Sequence, residues 1–452
     1  MQKLDAIIIG SGQGGVPLAI ALAQQGRQVA LFERGRMGGS CVNWGCTPSK
    51  AFLGAAHAAG RARNAQKLGV QATVQIDFEQ VMRRVREVRD SFTQGSEQRL
   101  KQYNLKVLHA EASFTAEGHV VGDGHRYSAP TVVIDTGSSA LIPPVEGLET
   151  TPYLTDRTFW DLDDLPARTL VLGGGYIGLE LGQGLARLGS RVHIIDRDAR
   201  VMSSEIPEVS QVLQEALERD GVEFHLQAQV NRVEHTSGVF RIALEGGAVL
   251  EGEALLVATG RRPNTEALNA PAAGIELDHK GYIKVNDRFE TTRPGVYAIG
   301  EVAGQPAFTH VSWEDHRRLL AIFSGQERSR DDRILGYAAF TEPQVGRIGL
   351  SLEEAKRKGH RAREATLEVK DTARAIEWGH DLGFYRMVID EETGRILGAT
   401  LVGYEAGELV HVFLALMEAG ATWQVLERAQ HIHPTYAENL PTLARKFKKQ
   451  DG

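Results

Sequence analysis

Cysteine is nearly absent from this chain: Cys41 and Cys46 are the only two among 452 residues. A disulfide-stapled scaffold, which is dense in cysteine, is excluded on that count. No apolar run approaches the ~20 residues that a bilayer-spanning helix requires, so no membrane partner is expected. No block of basic residues appears and the formal net charge is −7, so the electrostatic footprint of a nucleic-acid partner is missing. The N-terminus has neither a positive leader nor a long apolar stretch; it runs directly into DAIIIG, residues 5–10, and reads as a strand and not a signal peptide. A cytoplasmic protein is the expectation. In that setting a pair of thiols with four residues between them in a glycine-rich stretch is redox-active or metal-binding in preference to a structural staple.

Glycine, by contrast, is abundant: 49 residues, above the ~7% of an average protein. The apolar fraction of 42% and charged fraction of 24% are those of a globular chain, and at ~150 residues per domain the length suggests about three domains. Two segments repeat one device. In the first, the apolar run AIII turns through Gly10, Gly12, Gly14 and Gly15 into an apolar helix, and a second strand ends at Glu33. In the other, LVL turns through Gly173, Gly175 and Gly178 into a helix to Leu188, and the following strand ends at Asp196. Eighteen positions separate the last glycine from the acid in both copies.

Each part has a physical reason. The first glycine makes a tight turn, the second lets backbone approach a pyrophosphate, and the third lets helix pack on strand. The pyrophosphate sits on the helix N-terminus, whose unpaired amides favour an anion, and the acid accepts bonds from a ribose diol. One such fingerprint is weak evidence; two in matched context predict two bound dinucleotides. Flavin and nicotinamide is the usual pair where hydride is passed on. Three later strands fit that reading. TVVIDTGS carries Thr136 and Gly137, LLVATGR carries Gly260, and TRPGVYAIGE ends in Gly300 and Glu301.

The stretch GGSCVNWGCTPSK, residues 38–50, and HIHPTYAE, residues 431–438, complete a pattern that covers essentially the whole chain. On these residues the sequence resembles the FAD-dependent pyridine nucleotide-disulfide oxidoreductases, the group of glutathione reductase, dihydrolipoamide dehydrogenase and mercuric reductase. FTEPQVG, residues 340–346, and AGQPAFTH, residues 303–310, look closest to the mercuric-reductase-like branch with its reactive-chlorine-resistance flavoproteins. The resemblance implies an α/β fold with two Rossmann-like dinucleotide-binding domains and a C-terminal α+β interface domain. Its implied divisions are an FAD domain at 1–145, an NAD(P) domain at 146–264, a central segment returning to FAD at 265–332, and an interface domain at 333–452.

By the same resemblance, Cys46 is the flavin-facing thiol and Cys41 the thiol that attacks substrate, both at the opening turns of a helix where the amide dipole favours thiolate. Gly39 and Ser40 lie against the flavin nucleotide. Lys50 stands near the flavin and pairs with Glu180, and Tyr176 covers the nicotinamide pocket. His433 and Glu438 form an acid–base pair, and the histidine reaches the disulfide of the other subunit in a homodimer. No metal ligands are expected, because a zinc site needs about four and neither a third cysteine nor a histidine cluster lies near the pair. The implied activity is NAD(P)H-driven reduction of a small-molecule disulfide or related oxidant. A mercury or copper reductase and a non-catalytic flavin-bound redox sensor are the alternatives.

Two departures from the family pattern stand out. Glu301 occupies a position usually held by Asp, which sets its carboxylate one methylene farther out. No cysteine pair matches the second, metal-delivering pair of mercuric reductases. For the reductant, Asp196 repeats the ribose-binding position of Glu33 and so favours NADH. Arg197, with Arg191 and Arg200 near it in sequence, offers guanidinium partners to the 2′-phosphate of NADPH.

Overall fold

The computed structural model describes residues 1–448. Its first sheet is parallel throughout and runs in the order Val296–Ala298, Thr131–Ile134, Ala6–Ile9, Val29–Phe32, Leu105–Leu108. Every residue of Ala6–Ile9 and Val29–Phe32 is buried, because both faces of the sheet are covered. The helices Gly15–Gln24 and Thr309–Phe323 cover one face through Leu18, Leu22 and Leu319. A small second sheet covers the other, and its Tyr127 meets Phe32 edge to face, with ring centroids 5.2 Å apart.

The second parallel sheet has the order Glu223–His225, Arg191–Ile195, Arg168–Leu172, Ala254–Val257. Helices Tyr176–Leu188 and Pro207–Arg219 pack on one face, and the antiparallel strands Val230–Thr236, Val239–Leu244 and Val249–Gly252 pack on the other. The chain enters and leaves this unit through two short strands, Ser138–Ala140 and Arg261–Pro263, which pair with each other. Val296–Ala298 then rejoins the first sheet beside Thr131–Ile134, so one continuous nucleotide fold is inserted into another.

A third, antiparallel sheet follows: Gly336–Ala339, Gln344–Gly349, Ile396–Gly403, Phe384–Asp390, Ala362–Glu368. The helix Leu352–Arg357 opens with a capping box: Ser351 accepts from the Glu354 amide and the Glu354 carboxylate accepts from the Ser351 amide. The apolar helix Ala406–Glu418 buries Leu409, Val410 and Phe413 in this sheet but leaves Val412, Leu414, Leu416 and Met417 half-exposed. Such a helix divides its apolar surface between its own core and a face suited to another subunit. Among the described residues no helix is long and apolar enough to cross a membrane.

Candidate active site

The first glycine turn closes onto the strand beside it. A Cβ at Gly10, where φ is +109°, would lie 2.2 Å from the Asp135 carbonyl oxygen, and one at Gly15 would lie 2.1 Å from the Gly10 carbonyl oxygen. Only glycine allows this approach, and it aims the amides at the start of helix Gly15–Gln24 into a cleft lined by Glu33, Gly39, Ser40, Cys41, Gly137 and Glu301. Gly39 is equally constrained: its Cβ would stand 2.7 Å from the Gly12 Cα. Glu33 ends its strand as anticipated, held by the Ser11 amide at 3.0 Å, the Ser11 hydroxyl at 2.6 Å and the Gly35 amide at 2.7 Å. Thr136 donates to the Asn264 carbonyl at 2.9 Å. A glycine cradle, an acid at the second strand end and a cleft that runs on to a thiol fit a flavin dinucleotide.

Glu301 uses its extra methylene. Its carboxylate accepts from Ser138 and lies 3.3 Å from Arg261, whose other face pairs with Asp156 at 2.8 Å. Gly300, at φ +68°, packs its backbone against Ser312, where a Cβ would come within 2.9 Å. Sequence reasoning passed over Asp135, the acid within the apolar run TVVID. Its carboxylate accepts from the Gly15 amide at 2.7 Å and from Ser312 at 2.9 Å. Burial pushes its pKa up to about 7. A charge inside an otherwise apolar strand was the available signal.

This carboxyl makes stability depend on pH, with a sign opposite to that of most acids. Its folded pKa lies above its unfolded value, so the folded state holds a proton that the unfolded state has lost, and stability falls as pH rises from about 4 to about 7. Asp135→Asn removes that term. The thermal midpoint of the variant holoenzyme relative to the parent should therefore climb between pH 5 and pH 8, by at most about 1.4 kcal/mol per pH unit. A constant difference across that range would show that Asp135 does not titrate there.

The cysteine stretch differs from the single helix opening anticipated. Cys41 lies in a short helix, Gly39–Asn43, and Cys46 begins a separate helix, Cys46–Asn64. The break falls at Gly45, where φ is −106° and ψ −112°, after the Trp44 and Gly45 amides have both closed onto the Ser40 carbonyl. Asn43 secures the turn, donating to Met37 and Gly39 carbonyls at 3.0 Å and accepting from Thr93 at 2.9 Å. Both thiols are free. The two thiols interact, and Thr309 Oγ1 lies 3.3 Å from Cys46 Sγ. Interaction with Cys41, with Thr309 and Lys50 adding to it, holds Cys46 below the usual thiol range against the cost of burial, whereas interaction with Cys46 pushes Cys41 well above it.

One turn further along, Lys50 pairs with Glu180 at 2.8 Å, as anticipated, and its ammonium stands 4.3 Å from the Phe340 ring centroid. Glu180 is buried, and its second oxygen accepts from the Phe340 amide at 2.8 Å. The pair meets because helices Cys46–Asn64 and Tyr176–Leu188 approach closely at Gly184, where a Cβ would lie 2.4 Å from the Phe52 ring. These groups border a largely apolar cavity of about 660 Å³, also walled by Trp44, Tyr176, Phe308, Tyr337 and His411. Tyr176 packs on Phe308 with ring centroids 5.6 Å apart, and burial raises its hydroxyl pKa.

The second glycine turn repeats the first. A Cβ at Gly173 would be 2.3 Å from the Ala258 carbonyl oxygen, and one at Gly178 would be 2.1 Å from the Gly173 carbonyl oxygen. Gly175, Tyr176, Asp196, Arg197 and Gly260 line a further cavity of about 490 Å³. Asp196 accepts from the Gly174 amide and, at 2.8 Å, from the Asp198 amide. Arg197 is 87% exposed. The other two arginines are occupied: Arg200 donates to the Ser203 carbonyl at 2.8 Å and to Ser210 at 3.2 Å, and Arg191 pairs with Glu223 at 3.0 Å.

His433 and Glu438 are joined at 2.7 Å, with the imidazole 74% exposed and the carboxylate tucked beneath it. Neither belongs to the wall of the thiol cavity in this chain. The structure therefore gathers Cys41, Cys46, Lys50, Glu180 and Tyr176 into one place and leaves the histidine pair on the surface.

Comparison with known proteins agrees with this architecture. The family model described as pyridine nucleotide-disulphide oxidoreductase matches residues 4–315, and its dimerisation domain matches residues 336–444. A mercuric reductase of Lysinibacillus sphaericus is 33% identical over 451 residues, covering 98% of this chain and 83% of that one. A dihydrolipoyl dehydrogenase of Thermus scotoductus is 34% identical over 462 residues, covering 100% and 98%. Among solved structures, the Cu(II) complex of the HOCl-induced flavoprotein disulfide reductase RclA from Escherichia coli superposes with a TM-score of 0.90 at 30% identity, covering 99% of this chain and 100% of that one. With two nucleotide folds, a thiol pair between them and a matching dimerisation domain, the chain belongs to the pyridine nucleotide-disulphide oxidoreductases, homodimeric enzymes that use FAD and NAD(P)H.

Proposed function

We propose that this enzyme reduces a small disulfide, or an oxidant of similar reactivity, through a Cys41–Cys46 dithiol. The observation that carries the reading is the asymmetric thiol pair at the junction of the flavin-type cleft and the large cavity, with its charge drawn to Cys46. When bound, the nicotinamide and the flavin supply a hydride's two electrons to the Cys41–Cys46 disulfide. The residues do the rest. Cys41, deprotonated, attacks one sulfur of the substrate; that S–S bond breaks and the first thiol leaves with a proton. Cys46 thiolate then attacks Cys41 Sγ, re-forms the internal disulfide and releases the second sulfur as a thiolate, which takes its proton from solvent. Paired with the buried Glu180, Lys50 places a positive charge near Cys46 and favours its thiolate. His433, oriented by Glu438, accepts the Cys41 proton and returns it to the leaving thiol.

In this reading His433 and Glu438 come from the partner chain, which the exposure of His433 here and the half-exposed apolar face of Ala406–Glu418 support. The division at 1–145, 146–264, 265–332 and 333–452 is supported by the paired strands Ser138–Ala140 and Arg261–Pro263 at the two crossings. A reducing compartment such as the cytoplasm suits two free thiols.

NADH is the proposed reductant. A 2′-phosphate at Asp196 would meet a carboxylate, and of the three nearby arginines Arg200 and Arg191 are held by close partners while Arg197, exposed, has only the Asp198 carboxylate at 4.0 Å. We expect NADH to have the higher kcat/KM by about tenfold, or ~1.4 kcal/mol. Asp196→Ser should shift preference towards NADPH and Arg197→Ala towards NADH. A parent enzyme that strongly prefers NADPH, with Arg197→Ala erasing that preference, would overturn the reading.

A second reading, reduction of mercury or copper ions on the same dithiol, is favoured by likeness to mercuric reductases and by the RclA relative crystallised with Cu(II). Steady-state rates with NADH and NADPH against lipoamide, glutathione disulfide, other low-molecular-weight disulfides, hypothiocyanite, Hg2+ and Cu2+ separate the two. Turnover confined to the metal ions would replace the disulfide reading, and negligible turnover with every oxidant would favour a sensor.

A further inference from the structure

Away from the dithiol, the outer edge of the second parallel sheet brings together two imidazoles and a carboxylate. Strand Glu223–His225 is the edge strand and pairs in parallel with Arg191–Ile195, setting His193 opposite Glu223 and Ile195 opposite His225. Because side chains alternate along a strand, this register puts His193, Glu223 and His225 on one face. His193 Nδ1 lies 3.1 Å from His225 Nε2 and 3.6 Å from Glu223 Oε2, and the three donor atoms all fall within 4.8 Å of one another. Donors held 2.0–2.2 Å from a cation at tetrahedral angles are about 3.3–3.6 Å apart, so the cluster is already close to the spacing a metal imposes.

From this geometry we infer that His193, Glu223 and His225 form a binding site for a divalent cation of the zinc class. Two imidazole nitrogens and one carboxylate oxygen suit Zn2+, Co2+, Ni2+ or Cu2+ and are too poor in oxygen for Mg2+ or Ca2+. Three protein ligands leave the fourth position to water. The supporting contacts are in place. His193 is buried, which limits its ring motion, and Glu223 gives its other oxygen to Arg191 at 3.0 Å, leaving Oε2 towards His193. The site is separate from the redox thiols: none of its ligands borders the dithiol cavity, and its carrier is the nicotinamide-nucleotide unit, where the Asp196 amide donates to the His225 carbonyl at 2.9 Å. No motif in the chain announces it, since His193 and Glu223 meet only through the strand register.

The test uses the oxidised holoenzyme, in which the Cys41–Cys46 disulfide cannot compete, titrated with Zn2+ in a calorimeter. One Zn2+ per chain should bind, and Glu223→Gln and His225→Gln should each weaken it at least tenfold. His433→Ala, which removes the exposed histidine near His431, should leave that binding unchanged, and a Mg2+ titration should give no heat from this site. Glu223 is exposed, so Glu223→Gln should keep its fold and its flavin; if His225→Gln loses flavin, Glu223→Gln alone decides. Zn2+ affinity unaltered by Glu223→Gln, or lost in His433→Ala, would overturn the assignment. Co2+ in place of Zn2+ should give the visible absorption of a four-coordinate ion, and an octahedral spectrum would refute the geometry.

Discussion

Cys41→Ser holoenzyme should show a broad long-wavelength absorption band without any reductant, and Cys46→Ser should show none under any condition. The band arises when a thiolate lies against oxidised flavin, and the charge of the thiol pair rests on Cys46. Its pH dependence carries the sharper test. Cys46 has a lowered pKa, so its thiolate persists above that value and the band disappears as pH falls through it. The largest contribution to that lowering is the hydrogen bond from Cys41. A serine can replace this donor, but an alanine cannot. Cys41→Ala should therefore still form the band, with its midpoint moved to higher pH than in Cys41→Ser. Thr309→Val should move it the same way by a smaller amount, since Thr309 is the lesser donor to Cys46. Turnover with disulfide substrates should fall by roughly 10³-fold or more in each cysteine variant, as for loss of a nucleophile. A band present in Cys46→Ser and absent from Cys41→Ser would reverse the two roles.

Mixing two inactive variants should restore activity. His433→Ala is expected to lose about 10²–10⁴-fold in kcat, the usual contribution of a positioned acid–base group. Cys41→Ser loses the attacking thiol. If each site takes its thiols from one chain and its histidine from the other, a mixed dimer holds one site with both defects and one with neither. Random exchange makes half the dimers mixed, so about a quarter of the parent activity should return. The surface position of His433 in this chain, bound to Glu438 and outside the thiol cavity, is the reason to expect recovery. No recovery after demonstrated subunit exchange would mean that each site is built within one chain. A charge placed on the half-exposed apolar face of Ala406–Glu418, as in Leu416→Glu, should produce monomers whose turnover is as low as that of His433→Ala, with flavin retained.

What the sequence by itself determined was local. Strand, glycine turn, helix and terminal acid appear in order because a turn pressed against the neighbouring backbone leaves no room for a Cβ and a doubly covered strand must be apolar, so Gly10, Gly173, Glu33 and Asp196 were placed from their neighbours alone. The dithiol stretch was equally legible, although Gly45 divides it between two helices where one was anticipated. Only the tertiary structure decided which side chains meet across long separations. Thr309 reaches Cys46, Asp135 holds the Gly15 amide, Arg261 ties Glu301 to Asp156, and His193 faces Glu223 and His225. None of these pairs leaves a periodic mark in the chain. Each depends on how one strand registers beside another or how closely two helices approach, and an ångström of packing decides whether two polar groups form a bond. The same limit applies to Arg191 and Arg200. Near Asp196 in sequence, they serve Glu223 and the pair formed by the Ser203 carbonyl and the Ser210 hydroxyl, because the strand and the loop that carry them point their guanidinium groups elsewhere.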